Sequence, residues 1–147
     1  MAMTELIRKD ALLVDCEKRS WQEAVRICGG LMHSEGSISA EYTEAMVEAV
    51  ATLGPYMVIA PHIALAHAAA VTYVAKDDLV LVVFKEPVIF GSHNDPVHLV
   101  FGLCATGADK HLSQLQALTE ILGDKEICTK LLNCDDVDGV YRIINRS

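Results

Sequence analysis

The chain has 147 residues, 52% of them hydrophobic, which is enough for one compact domain over residues 1–147 and short for two. A formal charge of -8 leaves its 12 Lys and Arg too sparse for a phosphate-tracking surface, so nucleic acid is excluded as an expected partner. Arg8, Lys9 and Asp10 interrupt the N-terminus before a signal-peptide core can form, and apolar runs such as Leu79 to Phe84 are far too short to span a bilayer. No targeting segment and no direct membrane insertion is expected, and the chain reads as soluble and cytoplasmic.

Leu12-Leu13-Val14 is a short apolar run that reads as a first strand, although so short a run could equally begin a helix. Ser20-Trp21-Gln22-Glu23 has the form of a capping box, with a helix starting at Trp21. Trp21, Ala24, Val25, Cys28, Leu31 and Met32 then recur on one face, and Gly29-Gly30 suggest that the helix ends nearby. Ser39 is placed to cap a second helix running to about Leu53, with Tyr42, Ala45, Met46, Ala49, Val50 and Leu53 inward, and Gly54-Pro55 stops it.

Met57-Val58-Ile59 is a strand that Pro61 ends or kinks, and Ile63-Ala64-Leu65 resumes it. Leu79 to Phe84 is a continuous β-branched and apolar run of the kind covered on both faces. Lys85 to Gly91 looks like a short excursion, Ser92 to Pro96 is polar loop, and Val97 to Ala105 is another buried strand. A helix from Lys110 or His111 to Leu122 places Leu112, Leu115, Leu118, Ile121 and Leu122 on one face. Glu126 to Leu132 and Asp136 to Ile144 are further helices, the last capped by Asp135. This order predicts an α/β fold: a single domain with a mixed β-sheet flanked by helices.

The five cysteines are odd in number, scattered and without a Cys-x-x-Cys pair, which argues against a disulfide framework or a zinc knuckle and for reduced core thiols. Chemistry is therefore sought among the six histidines. His33 and His93 read as exposed loop residues, and His98 as a partly buried structural imidazole. His62 and His67 are five residues apart, which makes no ready chelate on a strand or a helix, so metal binding ranks below nucleophilic chemistry. From pattern alone a satisfied core histidine is the default for His67, yet the alanines after it leave room for a large partner to reach one ring edge. His111 opens a helix whose free amides favour an anion, against the plain alternative of an exposed first-turn residue. Were His67 and His111 to share a crevice, one could attack a phosphoryl group while the other donated to its oxygens.

Several stretches, in order and at matching spacing, resemble the IIA components of the bacterial sugar phosphotransferase system. They are Tyr42-Thr43-Glu44-Ala45-Met46, Leu53 to Pro61, Ile63-Ala64-Leu65-x-His67-Ala68, Glu86 to Gly91, and Val100 to Thr106 followed by His111-Leu112. The resemblance is to the fructose/mannitol superfamily, and within it to the ascorbate-type branch; it covers nearly the whole chain. It implies the mannitol/fructose-type IIA fold and a phosphocarrier without a cofactor or metal. His67 would accept a phosphoryl group from phospho-HPr and pass it to a cysteine of the cognate EIIB, with His111 stabilising the phosphate and the EIIC membrane component involved only indirectly. The transported compound would be ascorbate or a related acid or pentitol.

This chain departs from the family pattern at identifiable points. Ala66 stands where proline usually precedes the nucleophile, His62 where glycine is usual, and Ala69-Ala70 where Arg-Pro often follows His-Ala. The arginine that the mannitol branch carries on its second helix has no counterpart at Glu48 or Ala49. Loss of proline frees the backbone before His67, and His62 is an accessory candidate that could donate to phosphoryl oxygens. The alternative is an EIIA-like regulatory module that binds proteins with impaired phosphotransfer.

Overall fold

Serine 20 begins the first helix in the expected way. Its side chain accepts from the Glu23 amide and the Glu23 carboxylate accepts from the Ser20 amide, so both halves of the capping box form. The computed structural model describes residues 5–69, 71–107 and 112–145. Among them the helices are α1 (Trp21–Ser34), α2 (Ala40–Leu53), α3 (Leu112–Leu122), α4 (Lys125–Leu132) and α5 (Val137–Ile144). The strands are β1 (Leu12–Asp15), β2 (Val58–Ala60), β3 (Ile63–Ala66), β4 (Asp78–Val88) and β5 (Val97–Cys104).

The strands form one mixed sheet in the order β1-β4-β5-β3-β2. β1 runs parallel to β4, β4 antiparallel to β5, β5 parallel to β3, and β3 antiparallel to β2. β4 and β5 sit centrally, and every residue from Leu79 to Phe84 is buried, as expected for a strand covered on both faces. Alternation along β5 explains the two layers. Gly102 faces α1, where an added Cβ would lie 2.7 Å from Val80 and 3.3 Å from Cys28 and Met32. Leu99 has the other parity and lines a groove with Leu122, Cys128 and Leu132 from α3 and α4.

Several boundaries differ from expectation. Helix α1 continues past Gly29-Gly30 to Ser34 because Gly29 is a packing residue: an added Cβ there would lie 2.2 Å from the Thr43 Oγ1 of α2. Ser39 does precede α2, but its side chain makes no capping bond and its buried hydroxyl has no partner among the described residues. Leu53 is 71% exposed, not inward, because it lies in the last turn before Gly54. Gly54, at φ 90°, adopts a backbone conformation suited to glycine and ends α2.

Lys85 to Val88 is no excursion. Strand β4 passes a register shift between Val83 and Val88 and pairs again at Val88 with Val97. The Lys85 ammonium donates to the Leu132 and Cys134 carbonyls, both at 3.1 Å, so a strand side chain satisfies the end of α4. The loop after β4 folds on Asp95, whose carboxylate accepts the amides of Phe90, Gly91 and Ser92. The cap of α5 is Asp136 rather than Asp135, accepting from the Gly139 amide. Among the described residues no helix is long and apolar enough to cross a membrane.

Candidate functional site

Strand β3 pairs Ala66 with Gly102 of β5, and His67 is the first residue beyond it. The His67 ring turns back on its own strand, placing Nδ1 2.8 Å from the Leu65 carbonyl oxygen. A carbonyl can only accept, so Nδ1 carries the proton and, in the neutral ring, Nε2 keeps the lone pair. The backbone around the ring is held as well. The Leu65 amide donates to the Met57 carbonyl at 2.8 Å, and the Ala68 amide donates to the Tyr42 hydroxyl at 3.0 Å.

Two tyrosines shape this corner. Tyr42 is buried on α2; its hydroxyl donates to the Leu103 carbonyl at 2.9 Å, lies 3.2 Å from the Ala68 carbonyl, and so ties the segment after His67 to the end of β5. Burial pushes its pKa up to about 12, so the phenol keeps the proton that makes this bond. Tyr56 is 39% exposed and meets the His67 ring edge-on, with centroids 5.4 Å apart and planes at 87°. Its hydroxyl donates to the His67 carbonyl at 3.3 Å. Neither tyrosine was singled out from sequence. Tyr42 reads as an ordinary inward residue of a helix, while an aromatic residue directly after the Gly54-Pro55 turn was the available signal for Tyr56.

The proline missing at Ala66 therefore leaves no loose backbone: sheet pairing and the Tyr42 hydroxyl restrain it from both sides. The accessory role expected of His62 is corrected. His62 precedes β3 and His67 follows it, so their backbones are about 16 Å apart at the rise of an extended strand. His62 Nδ1 donates to the Pro96 carbonyl at 3.0 Å, and the ring borders the groove of about 320 Å³ under α4. Its φ of 71° is the left-handed region, which is where a glycine fits without strain. The same separation keeps His62 and His67 from sharing a metal ion.

His111 lies outside the described residues, as does Lys110. The described chain on either side is informative: β5 leaves the sheet beside the end of β3, and α3 begins at Leu112. Thr106, in the loop after β5, donates through its amide and its hydroxyl to Asp77 Oδ1 at 2.8 and 3.1 Å, which pins the start of that loop to the entry of β4. Of the other histidines, His33 is exposed but belongs to the last turn of α1, and His93 is exposed. His98 is half-buried with Nδ1 on the Phe84 carbonyl at 2.8 Å, a structural role.

This arrangement suits a nucleophile with a fixed tautomer at the end of a strand, beside a second strand end that feeds a helix. The sequence pattern described as phosphoenolpyruvate-dependent sugar phosphotransferase system, EIIA 2, matches residues 5–147. The chain belongs to this EIIA family. Among EIIA relatives, the mannitol-specific cryptic phosphotransferase enzyme IIA component of Escherichia coli (strain K12) is 29% identical over 146 residues, 99% of both chains. The ascorbate-specific PTS system EIIA component of Mycoplasma pneumoniae is 30% identical over 129 residues, 87% of this chain and 81% of that one. A solution structure of the mannitol-specific cryptic enzyme IIA from Escherichia coli superposes with a TM-score of 0.89 at 28% identity, covering all of both chains. The IIA in a complex of mannitol enzyme IIA and phosphorylated enzyme IIB from Escherichia coli has the same fold, with a TM-score of 0.82 at 24% identity over 96% of this chain and 98% of that one. The expected mannitol/fructose-type IIA fold is thereby established for this EIIA.

Proposed function

We propose that this EIIA is a phosphocarrier in which Nε2 of His67 accepts a phosphoryl group from phospho-HPr and passes it to a cysteine of a cognate EIIB. The observation that carries this reading is the Nδ1 bond to the Leu65 carbonyl at 2.8 Å, which leaves Nε2 as the nucleophilic nitrogen without any further base. In the step, the Nε2 lone pair forms a bond to phosphorus while the donor's P–N bond breaks and returns its electron pair to the donor nitrogen. Nδ1 keeps its proton, and the ring takes up positive charge that the Leu65 carbonyl faces. Transfer to EIIB repeats the exchange with a cysteine thiolate as nucleophile.

Such a reaction needs alignment and charge stabilisation rather than a metal. His111 is the proposed phosphate-stabilising residue. Its place in the chain directly before α3, together with the adjacency of the β3 and β5 ends, supports that role. The phosphorylated IIB in the mannitol complex, and the mannitol- and ascorbate-specific names of the relatives, support EIIB as acceptor and an acid or polyol as the transported compound. Contact with the EIIC membrane component is indirect, and a cytoplasmic location follows from the same reading.

Incubation with phosphoenolpyruvate, enzyme I and HPr is expected to place an acid-labile phosphate on the protein. His67→Ala abolishes the label and His111→Ala slows its appearance and onward transfer. Undiminished labelling of His67→Ala overturns the reading.

A further inference from the structure

We propose that Tyr56 is a positioning residue for the transfer step, holding the His67 imidazole in the single orientation from which Nε2 can meet phosphorus. This rests on the reading of His67 as phosphoryl acceptor. The bond from Nδ1 to Leu65 fixes one point of the ring, but a ring held at one point can still pivot about it. Tyr56 supplies the second restraint, standing across the imidazole at 87° and 5.4 Å between centroids. Its hydroxyl reaches past the ring to the His67 carbonyl at 3.3 Å, so one side chain restrains both the ring and its backbone.

The chain is built to deliver Tyr56 to this place. Gly54, at φ 90°, reverses direction after α2, and Pro55 fixes the next φ. The Tyr56 amide closes on the Gly54 carbonyl at 2.8 Å and the Val58 amide on the Pro55 carbonyl at 3.1 Å. The Met57 carbonyl then takes the Leu65 amide, so the neighbour of Tyr56 is bonded to the residue whose carbonyl holds the His67 ring. Tyr56, His67 and Leu65 thus form one closed unit.

The test compares Tyr56→Ala and Tyr56→Phe with the wild type, in transfer from phospho-HPr and in the nitrogen NMR spectrum of the His67 ring. Because near-attack alignment is lost, Tyr56→Ala is expected to lower kcat by about ten- to a hundredfold with KM little changed. The His67 spectrum should move from a single Nδ1–H tautomer to a mixture. Tyr56→Phe, which keeps the ring, should recover most of kcat and the single tautomer. A wild-type kcat in Tyr56→Ala overturns the proposal, and so does a rise in KM alone, which marks a docking contact. An unchanged His67 spectrum in Tyr56→Ala also overturns it. If the wild-type protein takes no label, the reading of His67 fails separately, and the ring spectra of the two variants still decide whether Tyr56 orients it.

Discussion

On the His67 imidazole the Leu65 carbonyl places the proton at Nδ1, and tyrosine hydroxyls hold the backbone around the ring. Tyr42 is the most consequential of these. Tyr42→Phe would leave the Ala68 amide and the Leu103 carbonyl without their partner inside the fold. A loss of about 1–3 kcal/mol in urea-unfolding stability is expected. A slower phosphoryl transfer should accompany it, since the residue after His67 is released. In the sequence, pattern alone leaves His67 a satisfied core histidine and the resemblance is what draws attention to it; the partners that hold it are not readable there. Tyr42 lies 25 residues before His67 and Leu103 lies 36 after it, and periodicity along one helix carries no information about which distant carbonyl a phenol will reach. His62 is the opposite case. Nearness in sequence suggested a shared site, whereas an intervening extended strand, which separates its two ends as widely as backbone can, keeps it away.

At the scale of elements, α1 and α2 meet through a glycine, and the usual sign of a helix substitution reverses there. In an open helix interior, glycine to alanine gains about 0.5–1 kcal/mol. At Gly29 the added methyl would lie 2.2 Å from Thr43 Oγ1 and 2.9 Å from Thr43 Cβ, so rotation of the Thr43 side chain cannot clear it. Gly29→Ala is expected to destabilise by about 1–3 kcal/mol as α1 and α2 are pushed apart. Gly30→Ala, where an added Cβ meets nothing within 4 Å, should be neutral or mildly stabilising. Thermal unfolding of the pair checks both. The order of most helices and strands was readable because each carries its own hydrophobic period between turn residues. The length of α1 was not, because a glycine kept for close packing looks the same in sequence as a glycine that ends a helix. The continuation of β4 through Pro87 was hidden likewise, since a register shift tolerates residues that regular pairing would reject.

Across the whole molecule, Asp78 gathers segments remote in sequence. It is buried, takes a bidentate contact from Arg8, accepts from the Ser37 hydroxyl at 2.7 Å, and begins β4. This partnership raises the Arg8 pKa further above its ordinary value. Asp78→Ala strips Arg8 and Ser37 of that partner at once. Since the Arg8 side chain is 27% exposed and water partly replaces the carboxylate, the expected loss is about 2–3 kcal/mol, read as a lower urea midpoint with an unchanged slope. No local pattern could announce such a junction, because each partner taken singly is an ordinary polar residue. The sheet's β2 border has a further consequence. Strand β2 is three residues long, shifts register between Val58 and Ala60, and runs straight into Pro61. A strand from another molecule laid against that border would find too short and too crooked a row of amides and carbonyls to pair with. Growth of the sheet from chain to chain is thus discouraged at its own margin, and encounters there fall to side chains such as Ile59, 46% exposed.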